Sequence, residues 1–227
     1  IGLPRKNGKS ALGAGIALWG LVLDDEQGGE VYSCAGDRDQ ARIVFGMAKR
    51  MVELEPELSG AVKVYRDVIE NPATGSIYKV LSAEAFSKEG LNPSLVIFDE
   101  VHVQPNRELW DVMNLGSGTR LQPLILGITT AGVKSDSTGA DSICYELYQY
   151  GQKVQSGEVD DSSFFFRWWE PSTGAEADWR DPDVWAEANP ALSDFLFLED
   201  FETSARTTPE NEFRTKRLNQ WVNQRSA

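Results

Sequence analysis

The chain has 227 residues, 41% hydrophobic and 25% charged, a balance that suits one large globular domain with a buried sheet core. A net charge of −13 argues against general polyanion binding by bulk electrostatics, so any nucleic-acid contact needs a local basic patch or a part of the protein outside this sequence. No apolar run of membrane-spanning length and no basic segment leading into a signal-like core is present, so neither span nor leader is expected; Cys34 and Cys144 are too few for a disulfide framework or a zinc site and fit a reducing cytosol.

The first ten residues, Ile1-Gly2-Leu3-Pro4-Arg5-Lys6-Asn7-Gly8-Lys9-Ser10, read as a phosphate-binding turn opening a helix from Lys9 to about Leu23, with alanines and glycines suited to close packing on a sheet. The strict phosphate-loop pattern fails at Leu3, where a glycine is usual, and only Ile1 to Leu3 remain of the strand that should lead into the turn. A strand is predicted over 30–35, then a helix over 38–54 with Ala41, Val44, Phe45, Ala48, Met51 and Val52 on one face and Asp37 or Asp39 as its cap. Pro56 is expected to stop that helix. Strands follow at 62–65 and 76–81, separated by the turn residues 71–75, and 82–90 reads as a loop with a short helical piece.

Leu95-Val96-Ile97-Phe98 is an apolar strand that delivers Asp99 and Glu100 at its C-terminal end, where an open α/β sheet places its ligand. A helix is predicted over 106–115, and a strand over 123–130 ends in Thr129-Thr130. A helix over 138–154 precedes Ser162 to Trp169, whose three phenylalanines and two tryptophans read as a buried core strand in preference to an aromatic stacking surface. Composition changes at Glu170, so a boundary is placed between 1–170 and 171–227. Beyond it lie a short helix at 183–190 and helical pieces at 198–205 and 210–222, the last turning Phe213, Leu218, Trp221 and Val222 toward a neighbour. Strands alternating with helices predict an α/β fold with a mostly parallel sheet covered on both faces.

The residue types at these positions carry a specific chemistry. Lys9 can reach β- and γ-phosphates and the Ser10 hydroxyl can bind Mg²⁺, while the acidic doublet divides into a metal partner, Asp99, and a base, Glu100.

Pro4 to Ser10, Gly90 to His102, Thr129-Thr130-Ala131-Gly132, Ala188-Asn189-Pro190 and Leu218-Asn219-Gln220-Trp221 together resemble, in order and over nearly the whole chain, the large terminase subunit of tailed bacteriophages. That resemblance implies a P-loop NTPase core of the ASCE type over 1–170 and a helical linker subdomain over 171–227, leading to a nuclease domain outside this sequence. It implies an ATP- and Mg²⁺-dependent motor in the bacterial host cytoplasm that packages double-stranded DNA into proheads, with a portal protein and a small terminase subunit as partners and a pentameric ring as the assembled state. Arg5, Lys6, Asn7, Gly8, Lys9 and Ser10 are then the nucleotide-binding residues, with Arg5 sensing the γ-phosphate. Ser10 and Asp99 are the Mg²⁺ residues, Glu100 polarises the attacking water, Thr129 and Thr130 form the coupling motif, and Lys88 stands where a trans-acting finger is expected. A lysine there lacks the bidentate contact that an arginine makes. His102, the sole histidine, fits a structural or sensor role. Two alternatives stand beside this: a helicase-like ATPase, since Asp99-Glu100-Val101-His102 fits an Asp-Glu-x-His box, and an inactive scaffold that keeps only the fold.

Overall fold

The computed structural model describes residues 1–36, 38–82, 90–135 and 139–222. In chain order its elements are α1 (Lys9–Val22), β1 (Glu30–Ala35), α2 (Arg38–Leu54), α3 (Pro56–Ala61), β2 (Lys63–Val64), β3 (Val68–Asn71), β4 (Ser76–Ser82), β5 (Leu95–Asp99), α4 (Glu108–Gly116), β6 (Leu124–Ile128), α5 (Ile143–Ser156), α6 (Pro182–Ala188), α7 (Leu198–Thr207) and α8 (Glu210–Arg217). They fall into two compact units, Ser10–Ile128 and a second one made of Ile1–Lys9 with Thr129–Ala227.

The first unit is built on a six-stranded sheet in the order β2-β3-β4-β1-β5-β6. β4, β1, β5 and β6 run parallel, and β2-β3-β4 is an antiparallel edge. Every residue of β5 is buried, as the unbroken apolar run requires of a strand covered on both faces. Gly13 and Gly20 let α1 approach the sheet closely: a Cβ at Gly13 would lie 3.0 Å from Ile128 and one at Gly20 2.5 Å from Leu95. The buried face of α2 sets Phe45 against Tyr78, ring centres 5.0 Å apart, and the Tyr78 hydroxyl shares a short hydrogen bond with Ser33 Oγ. Burial pushes the Tyr78 phenol above its usual range.

Two expectations in this unit are corrected. Pro56 ends α2 but also begins α3, because proline suits the first turn of a helix, and Glu55 caps it by accepting from the Glu57 N–H. The hairpin partner of β4 is β3, a four-residue strand with too little alternation to announce itself; the turn residues 71–75 join the two strands. Asp39 lies within the first turn of α2, and Asp37, the other expected cap, lies outside the described residues. The expected loop at 82–90 lies largely outside them too, with Lys88 in it.

In the second unit Ile1 to Leu3 form a short parallel strand between two neighbours. Leu3 N–H donates to Thr129 O and Thr129 N–H to Ile1 O on one side, and Gly2 N–H donates to Arg167 O and Trp169 N–H to Gly2 O on the other. Ser162 to Trp169 is therefore not a fully buried strand: it opens in a turn, bridges at Trp168 alone, and leaves Phe165 76% exposed. Its alternate residues Phe166 and Trp168 join Tyr148 of α5 and Trp221 in one aromatic cluster. Burial raises the Glu170 carboxyl above its usual range, opposed by the Tyr148 hydroxyl that donates to it at 2.7 Å. The helix expected from Thr138 starts later, at Ile143, where Ser142 caps it by accepting from Tyr145 N–H.

Residues 171–222 have an apolar core of their own. Trp179, Trp185, Leu196, Phe201, Phe213 and Leu218 pack together, with Phe213 in ring contact with Trp179, Trp185 and Phe201. Phe213 and Leu218 are buried as expected, although α8 stops at Arg217. Phe213→Ala is expected to cost about 3–5 kcal/mol in urea unfolding of the chain; a shift under about 1 kcal/mol would show that these helices do not share a core.

Candidate functional site

The turn between Leu3 and α1 is sharply wound. Lys6 and Gly8 have φ of 72° and 80°, so two of its residues take the left-handed conformation, at a steric cost for the lysine. Successive backbone N–H groups in such a turn form an anion-binding concavity, and the N-terminus of the following helix adds its dipole. Arg5 and Lys6 are exposed on it, while Asn7 and Gly8 are half-buried.

Lys9, by contrast, is only 6% exposed. Its ammonium donates to Leu3 O at 2.9 Å, Pro4 O at 3.1 Å and Thr130 Oγ1 at 2.9 Å, and the Thr130 hydroxyl in turn donates to Leu3 O at 3.1 Å. A buried cation needs its hydrogens matched by oxygens, and this cage supplies them. Two sequence-predicted groups, the turn lysine and the second threonine of Thr129-Thr130, are thus brought into direct contact. The Thr129 hydroxyl faces elsewhere, donating to Thr130 O at 2.9 Å with Cys144 Sγ 3.6 Å away. Gly2 is required in the strand below the turn, because a Cβ there would sit 2.0 Å from the Trp168 ring.

In the first unit Ser10 Oγ donates to Asp99 Oδ2 at 3.1 Å, joining the second residue of α1 to the end of β5. Asp99 is 3% exposed. A hydroxyl and a carboxylate side by side are hard oxygen donors of the kind Mg²⁺ takes, so these two residues fit that ion. Glu100 follows in the left-handed conformation, φ 52° and ψ 56°, unusual for a glutamate and a place where local strain redirects a side chain. Its Oε2 lies 3.0 Å from His102 Nδ1, and His102 is itself nearly buried. His102, for which the sequence allowed a structural or sensor role, is thus placed beside the Glu100 carboxylate.

Two functional positions escaped assignment from sequence although their motifs stood out. Asn189 Oδ1 accepts from Asn7 Nδ2 at 2.8 Å, and Asn7 Oδ1 accepts from Ala191 N–H at 3.2 Å. Asn219, fully buried with φ 57°, accepts from the Ala131 N–H at 2.6 Å and donates to Trp169 O at 3.1 Å, bracing the backbone just after Thr130. The signal was a buried-looking asparagine inside an apolar stretch, which names a polar partner without saying where that partner is.

Three comparisons bear on this geometry. The model of the terminase large subunit ATPase domain matches residues 1–153. The terminase large subunit of Enterobacteria phage HK97 is 32% identical over 98% of this chain and 44% of its own length, and protein YmfN of Escherichia coli K12 is 31% identical over 61% of this chain and 30% of its own. The crystal structure of the HK97 large terminase matches with a TM-score of 0.83 at 31% identity, over 97% of this chain and 46% of that one. The chain therefore spans less than half the length of these relatives, and its predicted P-loop α/β fold of the ASCE type is the one they share.

Thr130→Val keeps the volume but removes the hydroxyl from the lysine cage. It is expected to lower stability by about 2 kcal/mol in denaturant unfolding, the scale of a lost hydrogen bond to a charged group; an unchanged midpoint would contradict the cage.

Proposed function

We propose, on the premise that this chain belongs to the terminase large subunit family through its ATPase domain, that it hydrolyses ATP with Mg²⁺ to drive packaging of double-stranded viral DNA into a prohead. The observation that carries this reading is the hydrogen bond from Ser10 to Asp99, which places a metal-suited oxygen pair at the start of the helix that Lys9 begins.

In this reading Arg5, Lys6, Asn7, Gly8 and Lys9 receive the phosphates, with the exposed Arg5 guanidinium free to follow the γ-phosphate. Ser10 and Asp99 hold Mg²⁺, which when bound offsets phosphate charge. Glu100, held against His102, orients and polarises the attacking water for in-line displacement. No covalent chemistry is asked of the protein; positioning and charge stabilisation supply the rate. Thr130, bonded to both Lys9 and Leu3, relays a change at the lysine to the strand end, and Thr129 completes the coupling motif.

The wider assignments belong to the same proposal. Residues 1–170 form the ATPase core and 171–227 the linker subdomain, a division supported by the separate apolar core around Phe213. Portal protein, small terminase subunit, a pentameric ring, Lys88 as a trans-acting residue and a host-cytoplasmic location follow from the family. Among the described residues no helix is long and apolar enough to cross a membrane.

Glu100→Gln in the full-length protein is expected to lower kcat for ATP by at least about 100-fold while nucleotide affinity holds within about threefold. Phosphate release near the wild-type rate would remove Glu100 from its role. Lys9→Ala should weaken nucleotide affinity by about tenfold or more, read by titration calorimetry; unchanged affinity would count against the phosphate turn.

A further inference from the structure

The Ala188-Asn189-Pro190 segment carries a motif that nucleotide chemistry does not itself use, and its side chain reaches the phosphate turn. Asn189 is 1% exposed. Its Nδ2 donates to Trp185 O at 2.9 Å, inside α6, and to Arg217 O at 2.7 Å, at the end of α8. Both partners are carbonyls, so the amide has one orientation only, and Oδ1 must face Asn7. Asn7 is thereby forced to present its own NH₂ to Asn189 and its oxygen to the Ala191 N–H. The remaining reach of Asn7 Nδ2 is to Pro4 O at 3.3 Å and Arg5 O at 3.4 Å, within the turn. A second tie joins the same parts, since Arg5 N–H donates to Lys216 O at 2.9 Å.

Asn7 lies between the two left-handed residues, Lys6 and Gly8. A turn wound that way by a lysine needs an external hold, and the grip falls on the residue between them. We propose that Asn189 is a positioning residue for nucleotide binding: through Asn7 it holds the phosphate turn in its anion-binding shape, and so makes turn geometry and the packing of α6 and α8 one mechanical unit. This rests on the ATPase reading. It adds that the helical segment does more than follow the core, because the Asn7–Asn189 amide pair would carry displacement of the turn directly into the cluster around Trp185 and Phe213.

A double-mutant cycle on the full-length protein tests it, with Asn7→Ala, Asn189→Ala and the pair, read by hydrogen exchange and by ADP affinity. Each single variant is expected to speed amide exchange across residues 5–8 by about tenfold and to weaken ADP binding by about tenfold, and the pair to do no worse than either single. Asn7→Ala, a change in a half-exposed turn that should not threaten folding, should also speed exchange at 189–191. Turn exchange that stays at the wild-type rate in both single variants, or losses of affinity that multiply to about 100-fold in the pair, would overturn the proposal. A lower melting temperature for Asn189→Ala with turn exchange and affinity unchanged would mark a purely structural residue and overturn it as well. Failure of the wild-type protein to bind ADP would overturn the ATPase reading and this role together, whereas intact binding with an unmoved turn overturns this role alone.

Discussion

A buried ammonium is the constraint from which the rest of the turn follows. Lys9 cannot be left in a low-dielectric site without oxygens around it, and the chain meets that demand with two carbonyls of its own turn and one hydroxyl from Thr130. The demand explains why Ile1 to Leu3 must lie beside Thr129-Thr130, since Leu3 O and Thr130 Oγ1 both accept from the ammonium.

The same logic runs through the acidic doublet. Asp99 is the last residue of a fully buried strand and is kept there by a hydroxyl, while Glu100 is turned aside by a left-handed backbone and steadied by His102. Adjacent carboxylates that repel one another are thereby given different environments and different work. A left-handed glutamate beside a buried aspartate stores local strain, a feature that clusters at functional sites.

What could be seen in the sequence was whatever a local pattern encodes. The apolar run at 95–98, the 3.6-residue spacing of α2 and the small residues of α1 all formed the elements expected of them. Shorter or context-dependent elements escaped: β3 has four residues and exists because β4 offers an edge, and α3 depends on a proline whose usual effect is to end helices. The aromatic run at 164–169 was misjudged because hydrophobicity alone cannot say that only alternate residues face inward. In the candidate site, Lys9, Ser10, Asp99 and Glu100 could be singled out from residue type and position, and the structure sets Lys9 on Thr130 and Ser10 on Asp99. The hydrogen bonds of Asn7, Asn189 and Asn219 could not be read that way, since a contact between residues some 180 positions apart leaves no periodic trace.

The central claim of the proposed function is that the caged turn lysine receives a nucleotide phosphate. A crystal structure of the full-length protein with Mg²⁺ and a non-hydrolysable ATP analogue tests it most directly. The expected result is that Lys9 Nζ exchanges at least one of its contacts to Leu3, Pro4 and Thr130 for a phosphate oxygen. Nucleotide bound elsewhere, with all three lysine contacts retained, would contradict it.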